Sequence, residues 1–344
     1  MALIKLPLKA ASSNKKDLTQ KIPIEGQNQA TTQADDASLS ETPKPFIDKL
    51  TVNLTFKSAK KAYETHGALY RALTNDSDFF KSVGNPAKGF KLAKQIVVQG
   101  CESSPRLDYA YSENPDTGVN LAGRIRLEFN PSKLGIWGLK LLHGTLSSIV
   151  EDGWRTFVKD ARISRLDVAV DLVGVRITKL KIVPPKAVVS QTWSSSKGKL
   201  QTYQWGKPTG SYTQIYNKTE EMKARGKEVS GSQVTRFERR LKQPACQTLT
   251  KLVELDNPFA GFVLTTTVPT APDDGPGYVW PLFCDSVSVR GLHAALQLLP
   301  EHKRPVYKKK FANVAPSWWD PEVIWAQWPG VIQEMKIGDP QAWT

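Results

Sequence analysis

The sequence predicts an α+β fold: an open, mostly antiparallel sheet with helices packed on one face, followed by a small C-terminal helical region. Three observations carry that expectation. Several segments alternate apolar and polar residues with the two-residue period of strands. The clearest is ISRLDVAVDLVGV (163–175), where Leu166, Val168, Val170 and Leu172 share one face and Arg165, Asp167, Ala169 and Asp171 the other. The segments come as strands, a helix, then strands again, an order that favours antiparallel pairing over a doubly wound parallel sheet.

The elements follow in order. Residues 1–45 are polar, with six lysines against five acids and no apolar periodicity, and read as a disordered tail. In IDKLTVNLTF (47–56), Ile47, Leu50, Val52, Leu54 and Phe56 mark a first strand with an irregular start. Residues 60–82 have helical spacing through Tyr63, Leu69, Tyr70, Leu73, Phe79 and Phe80. Strands are predicted near 91–99, 106–112 and 120–130. Pro131 then opens a helix of about 20 residues that ends near Gly153. After the strand at 163–175 and a connection containing Pro184 and Pro185, the stretch 201–242 supplies two more strands, Ser211–Tyr216 and Arg236–Leu241. Beyond it the pattern weakens. Residues 246–255 and 288–299 read as helices, 268–281 as a Pro- and Gly-bearing loop, and 302–310 as a basic cluster. Asp320 and Pro321 cap a last helix, whose tryptophans read as core rather than as a base-stacking platform. The expected division is therefore a tail (1–45), a main domain (46–260) and a C-terminal accessory region (261–344).

Charge narrows the function. The chain of 344 residues has a net charge of +14. Between Lys197 and Lys242 eleven Lys and Arg stand against four Glu, so this stretch carries half of the excess. A polyanionic partner is implied; nucleic acid is the usual one, although ribosomal contact or an acidic membrane surface leaves the same signal. Cys101, Cys246 and Cys284 are scattered and odd in number, with no zinc-binding spacing. Reduced thiols in the cytoplasm are expected. No signal peptide or membrane helix is read, so no membrane partner is expected.

The polar strand faces offer Glu128, Asp167, Asp171, Gln214, Tyr216 and Glu238. Carboxylates in mid-strand are costly unless they face water, pair with arginine or bind a cation. Arg126, Arg165, Arg236 and Arg240 alternate with them, so arginine pairing accounts for each acid singly. Together they also suit phosphodiester chemistry, in which a hard cation such as Mg²⁺ needs only one or two carboxylates. A tyrosine hydroxyl, with a pKa of about 10, is a weak nucleophile at neutral pH. Lys218, two residues after Tyr216, is placed to help it electrostatically. On residues alone Tyr216 reads more simply as a half-buried strand tyrosine with a satisfied hydroxyl. Lys207, Arg236, Arg239, Arg240 and Lys242 are the candidate phosphate contacts.

The segments RLDVAVD (165–171), WGKPTGSYTQIYNK (205–218) and TRFERRLK (235–242), in that order, resemble the trans-acting rolling-circle replication initiators of plasmids and phages. RLEFNP (126–131) and IDKLTVNLTF are also similar to that family, and the likeness spans roughly residues 46–260. The resemblance implies an open antiparallel sheet of the kind found in HUH-type nucleases. It implies a site-specific nick at an origin, through a tyrosine that becomes joined to the 5′ phosphate and leaves a 3′ hydroxyl, with Mg²⁺ or Mn²⁺ as cofactor. By that resemblance Tyr216 is the nucleophile and Asp167, Glu238 and Glu128 are the metal-site residues. Origin DNA is the implied partner, with a host helicase and a second copy of the chain as further ones. The paired histidines of the HUH group are missing: His66, His143, His293 and His302 are scattered. Two rival classes stay open. One is a conjugative relaxase with the same chemistry. The other is a binding protein without catalysis, either a DNA-binding repressor or an RNA-binding sheet stacking bases on Tyr203, Trp205 and Tyr212.

Overall fold

Alternation along the strands builds one large sheet with an apolar and a polar face. The structure is a computed structural model that describes residues 42–342 apart from Lys57, Pro115, 186–189, Pro208, Ser230, 273–275 and 313–315. In chain order the elements are β1 (Phe46–Thr55), α1 (Ala59–Thr74), β2 (Phe80–Ser82), β3 (Leu92–Ile96), β4 (Arg106–Glu113) and β5 (Asn120–Phe129). Then come α2 (Pro131–Ser147), α3 (Gly153–Asp160), β6 (Arg162–Val173), β7 (Lys181–Val183), β8 (Ser190–Ser194), β9 (Leu200–Gly206) and β10 (Tyr212–Asn217). The chain closes with α4 (Lys218–Ala224), β11 (Val234–Lys242), β12 (Val263–Thr265), α5 (Val279–Gln297), α6 (Arg304–Ala312), α7 (Pro321–Trp325) and α8 (Trp328–Met335). Ten strands pair in the order β2-β3-β4-β5-β1-β6-β11-β10-β9-β8, and every neighbouring pair is antiparallel. The expected fold class is the observed one.

Register keeps the two faces apart. Leu50 lies opposite Phe129 and Leu166, Phe237 opposite Val170 and Ile215, and Ile215 opposite Tyr203. These side chains form one core with Leu69 and Leu73 of α1, Leu134, Leu142 and Leu146 of α2, and Trp154 and Phe157 of α3. The polar face carries a ladder of charges. Asp108, fully buried, meets Arg106 and Arg126; Arg126 also meets Glu128; Asp167 meets Arg165 and Arg240. Opposite charges paired across strands stabilise the sheet by a few tenths to about 1 kcal/mol each.

Several expected boundaries moved for local reasons. The helix expected at 60–82 stops at Thr74, where Asn75 turns extended and the Ser77 hydroxyl accepts from the amides of Phe79 and Phe80 to start β2. The helix expected from Pro131 to near Gly153 stops at Ser147, and α3, not expected, begins at Gly153, where Asp152 and Gly153 adopt left-handed φ of 58° and 46°. A Cβ on Gly153 would lie 2.8 Å from the Cα of Ser147, so only glycine fits. The helix expected at 288–299 begins at Val279: Pro281 sits in its first turn, where no amide donor is needed. Residues 249–254 form a short 3₁₀ helix.

The region after 260 divides. Trp280, Phe283, Tyr307 and Phe311 form a small second core between α5 and α6. The final tryptophans rejoin the main core: Trp319 stacks on Phe237 at 5.2 Å, and Trp319 and Trp328 donate to the carbonyls of Phe262 and Leu252 at 2.9 and 2.7 Å. Of the expected tail, residues 1–41 lie outside the described residues. Residues 42–45 pack on the C-terminal segment, with Lys44 2.9 Å from Glu334 and the Pro43 carbonyl bonded to Gln327. Among the described residues no helix is long and apolar enough to cross a membrane.

Candidate active site

A cleft of about 650 Å³ opens on the polar face where β1, β6, β11 and β10 meet the starts of α2 and α4. β10 brings Gln214 and Tyr216 to it, and Asn217 ends the strand by capping α4, accepting from the Glu220 amide at 3.1 Å. A bulge in β1 between Ile47 and Lys49 brings both Asp48 and Lys49 to the cleft.

Tyr216 lies in this cleft with its hydroxyl 3.5 Å from Glu238 Oε2 and the Lys218 ammonium 5.8 Å from its ring centre. Burial, then the Glu238 carboxylate, push the phenol well above its ordinary value, and the Arg236 guanidinium works against them. Glu238 is 7% exposed. Its carboxyl is pushed up to about 7 by burial first, then by Asp167 and Asp48, against the pull of Arg240 and Arg236. Arg240 stands 4.0 Å away.

The other expected metal-site residues are held differently. Asp167 lines the cleft, fully buried, with Arg165 Nε at 2.9 Å and Arg240 Nε at 3.3 Å. Glu128 does not line it. It belongs to the ladder, with Lys49 at 3.2 Å and Arg126 in contact. Burial alone would raise the Glu128 carboxyl, but Lys49 and Arg126 bring it below the usual range. Among the described residues no three His, Cys, Asp or Glu side chains are grouped to hold a metal ion. Of the three expected metal-site residues, Asp167 and Glu238 line the cleft and Glu128 lies outside it.

The expected phosphate contacts scatter. Arg240 lines the cleft. Arg236 is buried below it, clamped by Asp171 at 2.7 and 2.8 Å and by Asp48 at 2.6 Å, so it cannot reach a phosphate without breaking that clamp. Arg239 is on the core face, beside Phe237. It contacts Thr213 and lies 5.3 Å from the Phe262 ring centre, and burial lowers its guanidinium. That position follows from strand alternation and keeps it out of the cleft. Lys207 and Lys242 are exposed outside the cleft, and Lys242 donates to the Thr209 carbonyl at 3.1 Å. Lys218 is buried with its ammonium 2.6 Å from Glu221. Sequence reasoning missed Asp48, Lys133 and Glu221, which reach the cleft from a bulge and two helix starts.

The chain is similar to a solved structure. A rolling-circle replication initiator protein from Geobacillus stearothermophilus is 17% identical, with a TM-score of 0.36. The alignment covers 72% of this chain and 98% of that one. No family model matches the chain, and no curated protein does. A likeness of that size has no bearing on the site, whose chemistry stands on its own residues.

Proposed function

We propose that this cleft nicks DNA by transesterification, as in rolling-circle initiation. The observation that carries the reading is the Tyr216 hydroxyl set against Glu238 in an open cleft lined with charge on the polar sheet face. Tyr216 Oη attacks a phosphodiester phosphorus. A 5′-phosphotyrosyl bond forms, the bond to the 3′ oxygen breaks, and that oxygen takes a proton from solvent and leaves as a free hydroxyl, a primer end. Glu238 Oε2 orients Oη and takes its proton. A carboxyl held at about 7 suits proton transfer near neutral pH. Arg240 and Lys218 add positive charge beside the anionic transition state.

Asp167 and Glu238 fit a Mg²⁺ or Mn²⁺ ion that keeps most of its waters, since one or two carboxylates suffice. Burial first, and then the charges of Asp167 and Asp48, raise Glu238, and a cation would relieve the charge part of that cost. A carboxylate has lone pairs enough to touch both a hydroxyl and an ion. When bound, the ion polarises the phosphate and offsets the charge that develops on it.

The test incubates the protein with supercoiled plasmid, and with single-stranded DNA, carrying the sequence that flanks its own gene, with and without Mg²⁺ or Mn²⁺. Denaturing gels and mass spectrometry should reveal a divalent-dependent adduct on Tyr216, absent from Tyr216→Phe. Glu238→Gln and Asp167→Asn should lose cleavage, while Glu128→Gln should keep it. A metal-independent gel shift with no adduct would instead identify a binding protein without catalysis.

A further inference from the structure

Of the six cationic side chains that line the cleft, five are matched to carboxylates. Lys49 meets Glu128 at 3.2 Å, Lys218 and Arg225 meet Glu221 at 2.6 and 2.5 Å, and Arg165 and Arg240 meet Asp167. The sixth, Lys133, has no ion pair among the described residues. Charges of both signs surround it at longer range. Burial, and then the charges of Lys218, Lys227 and Arg236, lower its ammonium against the pull of Asp48, and Lys133 in turn helps to lower the carboxyls of Glu102 and Glu221.

Lys133 is also held in place. It is the third residue of α2, and its amide donates to the Asn130 side chain at 3.0 Å. The same Asn130 oxygen accepts from the Ser132 hydroxyl at 2.9 Å. The backbone that carries Lys133 is therefore fixed at the mouth of the cleft. A half-buried ammonium with no carboxylate within ion-pair distance has its charge available to an arriving anion.

We propose that Lys133 is the phosphate grip of the cleft, binding a backbone phosphate of a single DNA strand beside Tyr216. This rests on the reading of the cleft as a DNA-nicking site. Lys133 supplies the unspent charge, and Lys218 and Arg225, tied to Glu221, supply the surrounding field. The grip is indifferent to base, as phosphate contacts are.

The experiment measures binding of a short fluorescein-labelled single-stranded oligonucleotide of mixed sequence by anisotropy across a salt series without divalent ions. It uses Tyr216→Phe protein, which cannot be captured covalently. Adding Lys133→Met should weaken binding and make the log–log salt dependence shallower by about 0.7, the share of one phosphate on single-stranded DNA. Lys133→Arg should restore both, and the Tm of the Lys133→Met protein should stay within about 1 °C, because no ion pair or hydrogen bond of the side chain among the described residues is lost. An unchanged slope with the parent protein still binding overturns the grip and leaves the nicking reading intact. Weakened binding that comes with a lowered Tm also overturns it, since Lys133 would then be structural. No binding by the parent protein overturns both.

Discussion

The Arg236 clamp offers the sharpest test of how the polar face is built. Its guanidinium is 7% exposed and receives two carboxylates, Asp171 through a forked pair of bonds at 2.7 and 2.8 Å and Asp48 through one at 2.6 Å. Burial alone would make the guanidinium easier to deprotonate, but the Asp171 bonds and charge outweigh it and hold the proton more firmly. Arg236→Met leaves Asp48 and Asp171 without their shared cation and should cost about 3–5 kcal/mol, the usual result of breaking a buried pair from one side. Asp171→Asn keeps the shape, removes one charge and leaves Asp48 in place. Because Asp171 is about a third exposed, solvent screening trims the loss to about 1–2 kcal/mol. Asp48→Asn, losing a single bond, should cost less than Asp171→Asn. Urea unfolding with a shift in midpoint at constant slope measures each change. The reasoning fails if Arg236→Met costs under about 1 kcal/mol, or if Asp48→Asn costs as much as Arg236→Met.

Two further outcomes are expected. Arg239 is half-buried on the core face with no partner for its Nε, so Arg239→Met should change stability by under about 1 kcal/mol and leave the salt slope of DNA binding unaltered; unfolding titration and anisotropy check this. His143 is 9% exposed, lies 5.9 Å from the Trp154 ring, and is pushed down to about 4 by burial. With its folded value below the unfolded one of about 6.5, the unfolded chain binds the proton first, so stability falls as pH drops from about 6.5 to about 4. The full loss is roughly 3 kcal/mol, and His143→Leu should flatten that acid limb in thermal melts taken across the range.

Strand alternation makes much of the sheet legible in the sequence. The period of two assigns Leu166, Val168 and Val170 to the core, and Asp167, Tyr216, Glu238 and Arg240 to the opposite face, and register then sets Tyr216 near Glu238. The same period places Arg239 beside Phe237, on the core side. Its charge suggests a surface contact, but the strand face on which it stands decides otherwise. β8 leaves little trace in the sequence, since residues 191–194 are exposed on both faces.

What the sequence by itself determined is therefore local: which residues share a strand face, where Pro131 opens a helix, and how charge concentrates between Lys197 and Lys242. Tertiary structure alone decided which acids are spent and which are poised. Glu128 and Glu238 look alike in sequence, each flanked by arginine two residues away. Cross-strand neighbours set Lys49 and Arg126 on Glu128, but leave Glu238 buried against Asp167, Asp48 and a tyrosine hydroxyl. Lys133 reads as an ordinary residue in the first turn of a helix, and only the meeting of α2 with β10 and α4 makes it the unmatched cation of the cleft. The physical reason is the range of the forces. Backbone periodicity acts within a few residues, whereas charge and burial depend on whatever side chains the fold brings near, here from segments more than a hundred residues apart.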